Sequence, residues 1–162
     1  MKPLIVLLVT FLFAVLGLRL VRHKYEPAFA ARIAMSVMLV FTATGHFAFT
    51  RGMAMMLPGF IPFKTVIVYV TGIVEIVAAI GLLITSTRRL TAFCLIIYFI
   101  LVLPANIYAA IHHIDYQNAT LTGPGLNYLW FRVPLQVLFI VWTYLSSTKG
   151  KSAPAANSTF VK

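Results

Sequence analysis

Residues 65–85, TVIVYVTGIVEIVAAIGLLIT, decide the fold. The stretch carries one side chain of the charged types, Glu75, and is long enough to cross a bilayer core of about 30 Å, which takes about 20 helical residues. Four further apolar runs flank it, at 3–21, 32–49, 90–111 and 128–146. None alternates with the period of two expected of barrel strands, and all are rich in Leu, Ile, Ala and Val, so helices are expected. The chain therefore reads as an all-α, polytopic membrane helical bundle over residues 1–146. The remaining 147–162 are polar and small, a composition expected to form a disordered cytoplasmic tail.

Composition agrees with a membrane chain. Of 162 residues 61% are hydrophobic and 10% charged, and the mean hydropathy is +0.96, which excludes a water-soluble globular domain. The net charge of +10 comes from 13 Lys and Arg against 3 Asp and Glu, but these cations are scattered between apolar runs, so they read as topology signals and not as a nucleic-acid surface. Arg19, Arg22, Lys24 and Arg32, then Arg88 and Arg89, then Lys149, Lys151 and Lys162 fall on one side. The opposite side has Lys2, Arg51 and Lys64. That bias gives an outside N-terminus and a cytoplasmic C-terminus in a cell (inner) membrane.

Ala28-Phe29-Ala30 offers a signal-cleavage reading for the first run, but the cations follow that run instead of preceding it, so a retained anchor is favoured. The lone Cys94 allows no intrachain disulfide. Asn118-Ala119-Thr120 and Asn157-Ser158-Thr159 match the short glycosylation sequon.

Polar residues inside the runs gather toward one end. Counted from Lys64, Glu75 lies ~16 Å in, near the midplane. His46 lies about one turn inside its run, and Asn106 ~8 Å inside its own. Tyr128, Arg132, Gln136 and Thr143 share a stripe that must face the bundle, since lipid would not accept Arg and Gln. Thr42 and His46 share a face, and Gly72, Glu75 and Ala79 form a small-residue face for close helix approach. Pro104 cannot donate to the carbonyl of Ile100, so a kink or a bound water is expected near Asn106. These positions imply an outward-opening polar pocket around Glu75.

Within it, Glu75 and His46 are the candidates for proton exchange, against the plainer roles of a structural ion pair and an interfacial histidine. Asn106, Arg132, Gln136 and Thr42 are candidates for ligand contact. The amides could equally be interhelical glue, and Arg132 a counter-charge for Glu75 or an interfacial snorkeller. His112, His113 and Asp115 hint at a metal site, but adjacent histidines face apart and two ligands do not close a site, so no metal is expected. The aromatic residues, Tyr98 among them, read as belt or packing residues. The apolar connection 51–64, broken by Pro58, Gly59 and Pro62, suits either a lid over the pocket or a re-entrant packing loop.

Gly45-His46-Phe47, the Pro58 to Pro62 loop, Thr71-Gly72-Ile73-Val74-Glu75, Leu103-Pro104-Ala105-Asn106-Ile107-Tyr108 and Arg132-Val133-Pro134-Leu135-Gln136 occur in that order. Together they resemble the DoxX-like family of small bacterial membrane proteins, over roughly residues 32–146. The resemblance implies a four-helix core, to which this chain adds an N-terminal helix. It also implies links to membrane redox complexes, including membrane subunits of a thiosulfate:quinone oxidoreductase, or to the assembly of other membrane proteins.

Three functions follow as expectations. One is a redox accessory holding a quinone or similar lipid-soluble headgroup, with no covalent cofactor and with a redox partner protein in the membrane. Another is a non-enzymatic scaffold or assembly factor, and the third is acid/base chemistry on a lipid. A transporter is disfavoured, since the chain has no inverted repeat.

Overall fold

The structure is a computed structural model describing residues 2–22 and 26–148. Lys24, Lys149, Lys151, Lys162 and the second sequon lie outside the described residues. Six helices follow in order: α1 (Lys2–Arg22), α2 (Pro27–Ala48), the short α3 (Thr50–Met55), α4 (Lys64–Leu83), α5 (Arg88–Ile111) and α6 (Asn127–Thr148). Five of them are long and apolar enough to cross a membrane.

Helix ends differ from the expected runs by up to five residues, and two of the differences carry consequences. α2 starts at Pro27, five residues before the expected 32, because Pro27 sits in the first turn, where its missing N–H costs nothing. The Ala28-Phe29-Ala30 stretch is thus helical, with Ala30 fully buried. Arg32, expected in a loop, is buried inside α2, where its Nη1 donates to the Ser146 carbonyl at 2.9 Å and its guanidinium lies 5.4 Å from the Phe29 ring centroid. Arg88 is likewise buried, in the first turn of α5. At the other boundary, α6 runs to Thr148 with Ser147 fully buried, so the expected tail does not begin at 147.

α4 shows why the bundle holds. Val68, Gly72, Glu75, Ala79 and Leu82 are buried at helical spacing, while Val66, Ile73, Val77 and Ile80 on the other side are each more than half exposed. A helix apolar on both faces belongs in lipid. There, close packing and interhelical hydrogen bonds hold helices together, because acyl chains are as apolar as leucine. Gly72 permits that packing: a Cβ on it would stand 2.9 Å from the His46 Cβ and 3.3 Å from the Phe47 ring. Two turns on, the Ser36 hydroxyl donates to the Ala79 carbonyl at 2.8 Å, tying α2 to α4 a second time.

α1 lies along α2 and buries Leu7 in the common core. Its Phe11 meets Trp142 of α6 edge-on at 5.0 Å, and the Trp142 indole N–H donates to the Ala31 carbonyl of α2 at 3.0 Å. α1, α2 and α6 are thereby joined at the level of these rings.

Gly72→Ala should lower stability by about 1–3 kcal/mol, since the added methyl must push α2 and α4 apart. Gly17→Ala is the control: nothing lies within 4 Å of its Cβ position, so it should be neutral or stabilising by up to about 1 kcal/mol. Thermal unfolding in mild detergent reads both.

Candidate functional site

At the end where α2 stops and α4 begins, the helices enclose a cavity of about 820 Å³. Every candidate from the sequence lines it: Glu75, His46, Asn106, Arg132, Gln136 and Thr42. Glu75 is 5% exposed. Its Oε1 accepts from the Tyr98 hydroxyl at 2.9 Å and lies 3.6 Å from the His46 Nε2, while its Oε2 is buried with no hydrogen-bond partner among the described residues.

The far edge of the imidazole is fixed by α4. His46 Nδ1 lies 3.2 Å from the Val68 carbonyl and 3.0 Å from the Thr71 hydroxyl oxygen. The carbonyl only accepts, and the Thr71 proton is itself donated to Val68 at 2.8 Å. Nδ1 therefore carries a proton, and the ring turns Nε2 toward the carboxyl. A carboxylate in hydrocarbon is tolerated when paired, so the His46–Glu75 unit is neutral either as imidazolium with carboxylate or as imidazole with carboxylic acid. Both forms hold the same one exchangeable proton.

Arg132 does not serve as the expected counter-charge. The carboxyl is engaged from α2 and α5, and α4 packs chiefly on α2, so the pairing comes from His46 instead. The Arg132 Nε is buried at the cavity with no hydrogen-bond partner among the described residues. The amides are partly committed: Asn106 donates to Val102 of its own helix at 3.0 Å, and Gln136 donates across to the Phe99 carbonyl in the turn before Pro104. α5 continues as helix through Pro104. Thr42 gives its proton back to Met38 and Leu39, at 3.2 and 3.0 Å, which leaves its oxygen only as an acceptor.

Sequence reasoning missed Tyr98, Thr71 and the start of α1. Tyr98 was expected only to pack, yet it stands eight residues before Asn106, two turns away on the same helix face. Thr71 stands one turn before Glu75 in the same way. Lys2 and Pro3 also border the cavity, so the N-terminal helix is part of its wall.

Two connections close this end. In the first, α3 is a single short turn of helix followed by a bend, with Lys64 Nζ donating back to the Leu57 carbonyl at 2.8 Å. Phe63 takes a left-handed φ of 52° there, a strained conformation for a bulky residue. The second, 112–126, is closed by the paired Asp115 and Thr120 backbones, and its Tyr116 carbonyl sits 1.9 Å from where a Cβ on Gly52 would stand. The Asp115 carboxylate is spent inside this loop. The Asn118 amide donates to it at 2.8 Å and the Gln117 N–H at 2.9 Å, which holds it below the ordinary carboxylate range. His112 and His113 face the Tyr108 and Gly123 carbonyls, and no group of three potential metal ligands occurs among the described residues.

Residues 35–147 match a family described as Domain of unknown function (DUF8561). The chain belongs to this family. The match takes in α2 from Met35 onward and everything through α6 except Thr148, hence Glu75, His46 and Tyr98, and leaves out α1 and the start of α2. No curated protein and no solved structure matches the chain.

Tyr98→Phe should cost about 1–3 kcal/mol, because it deletes a donor to a buried carboxyl that has no replacement nearby. Denaturation of the purified variant in detergent measures this. A loss within 0–0.5 kcal/mol, as an order-of-magnitude bound on a surface substitution, would mean the phenol is not bonded to Glu75.

Proposed function

We propose that this protein is an accessory subunit of a membrane redox system that holds the head of a quinone or similar lipid-soluble molecule in the cavity around Glu75. One observation carries the reading: a cavity large enough for a ring and part of its tail contains a buried carboxyl with an unpartnered oxygen. Its lining also extends to Phe41, Thr44 and Ala48, which are exposed on the outer side of α2. That side faces lipid when the helices span a bilayer, so a hydrophobic molecule can slide in without crossing water. The resemblance to DoxX-like proteins supplies the quinone class and the expectation of a redox partner. Glu75 and His46 supply an exchangeable proton, while Arg132, Asn106, Gln136 and Thr42 offer contacts to the head.

The four-helix DoxX-like core, the bacterial inner membrane and an outside N-terminus belong to the same proposal. The orientation rests on the sequence count of Arg19, Arg22, Lys24, Arg89, Lys149, Lys151 and Lys162 against Lys2, Arg51 and Lys64, since Arg32 and Arg88 are buried inside the bundle. A scaffold or assembly factor is the second reading, favoured by the packed α3 and 112–126 caps, which present a folded surface at one end.

Mass spectrometry of small molecules retained in mild detergent separates the two. Wild type should keep a quinone or related amphiphile that Glu75→Gln loses at least about tenfold, the size of one hydrogen bond to a charged group. Retention of bulk phospholipid alone by both proteins would remove the ligand reading and leave the scaffold.

A further inference from the structure

The two unpartnered polar atoms of the cavity differ in kind. Glu75 Oε2 belongs to a carboxyl whose other oxygen already accepts from Tyr98 and faces the His46 imidazole. With the proton held between Oε1 and His46 Nε2, on either side, Oε2 is an acceptor: a carboxylate oxygen in one form and the carbonyl oxygen of the acid in the other. Arg132 Nε–H is a pure donor, and a guanidinium does not lose its proton in proteins. A buried polar atom left unmatched costs more than a typical hydrogen bond returns, so the molecule that suits this cavity offers the complement of both. It needs a hydroxyl or N–H for Glu75 and an oxygen acceptor for Arg132.

We propose that the cavity selects an amphiphile bearing a ring hydroxyl, and so prefers the reduced, dihydroxy form of a lipid-soluble ring compound over its oxidised, dicarbonyl form. This rests on reading the cavity as a ligand site. The oxidised form brings only acceptors: its carbonyl satisfies Arg132 but meets Glu75 Oε2 lone pair to lone pair. The reduced form donates one hydroxyl to Oε2 and offers an oxygen of the other to Arg132. Asn106 and Gln136 do not reverse this preference. Each commits one amide N–H, to the Val102 and Phe99 carbonyls, and keeps a second N–H and its oxygen, so each can meet a hydroxyl or a carbonyl alike. Thr42 offers only a lone pair. Tyr98 cannot compensate, because its proton is held by Oε1. No electron transfer is part of this proposal; it concerns which form is held.

The test uses the full-length protein in detergent with three probes: decylubiquinol, decylubiquinone and the dimethyl ether of decylubiquinol, which keeps the oxygens but has no donor. Thermal-shift titrations give an apparent Kd for each. The hydroquinone should bind at least about tenfold tighter than the other two, the fold-change expected of one charge-assisted hydrogen bond. Glu75→Gln, whose amide can donate, should level or reverse that order. Equal binding of all three to wild type would overturn the selectivity while leaving the ligand site standing, and binding of none would overturn both. Should Glu75→Gln fail to fold, the wild-type comparison between the hydroquinone and its ether decides alone.

Discussion

Everything at the working end of this bundle follows from one constraint, a carboxyl held inside a body whose outer surface is lipid-facing hydrocarbon. Left alone, such a group would neutralise itself or drag water in. Here it is met from two sides, by a phenol from α5 and an imidazole from α2, and the imidazole is held in turn by a carbonyl and a hydroxyl of α4. Glu75 and the groups that orient its partner therefore sit on one helix, within two turns. The close approach at Gly72 brings His46 into range, so helix packing and site geometry are the same feature.

The bundle is finished differently at its two ends. At the end away from the cavity, Arg32 reaches the Ser146 carbonyl and Trp142 the Ala31 carbonyl, which locks α2 against α6. At the cavity end, two compact connections and the first residues of α1 close around the opening.

Much of this was legible in the sequence. Five long apolar runs gave the five long helices, because hydropathy at that length has only one outcome in lipid, and the helical spacing of Glu75, Gly72, Arg132 and Gln136 placed them toward the interior. Side-chain pairing was harder to read. Arg132 was the obvious counter-charge by sign, but sign says nothing about which helix is near; His46 takes that place because Gly72 lets α2 come close. Tyr98 was hidden among many aromatic residues whose ordinary role is packing. Arg32 and Arg88 resembled loop cations because apolar runs end at charges, yet long basic side chains can be buried when carbonyls or rings meet them. The membership of residues 35–147 in a domain family of unknown function leaves the site geometry as the main guide to activity.

The central claim is that Glu75 Oε2 and Arg132 Nε together receive one amphiphilic head. A crystal structure grown in lipidic cubic phase tests it most directly. The account predicts density for a non-protein head group between these two atoms, with its tail leaving past Phe41 and Ala48 of α2. Arg132 swung onto Glu75 in a direct ion pair, with the cavity collapsed around it, would contradict the account.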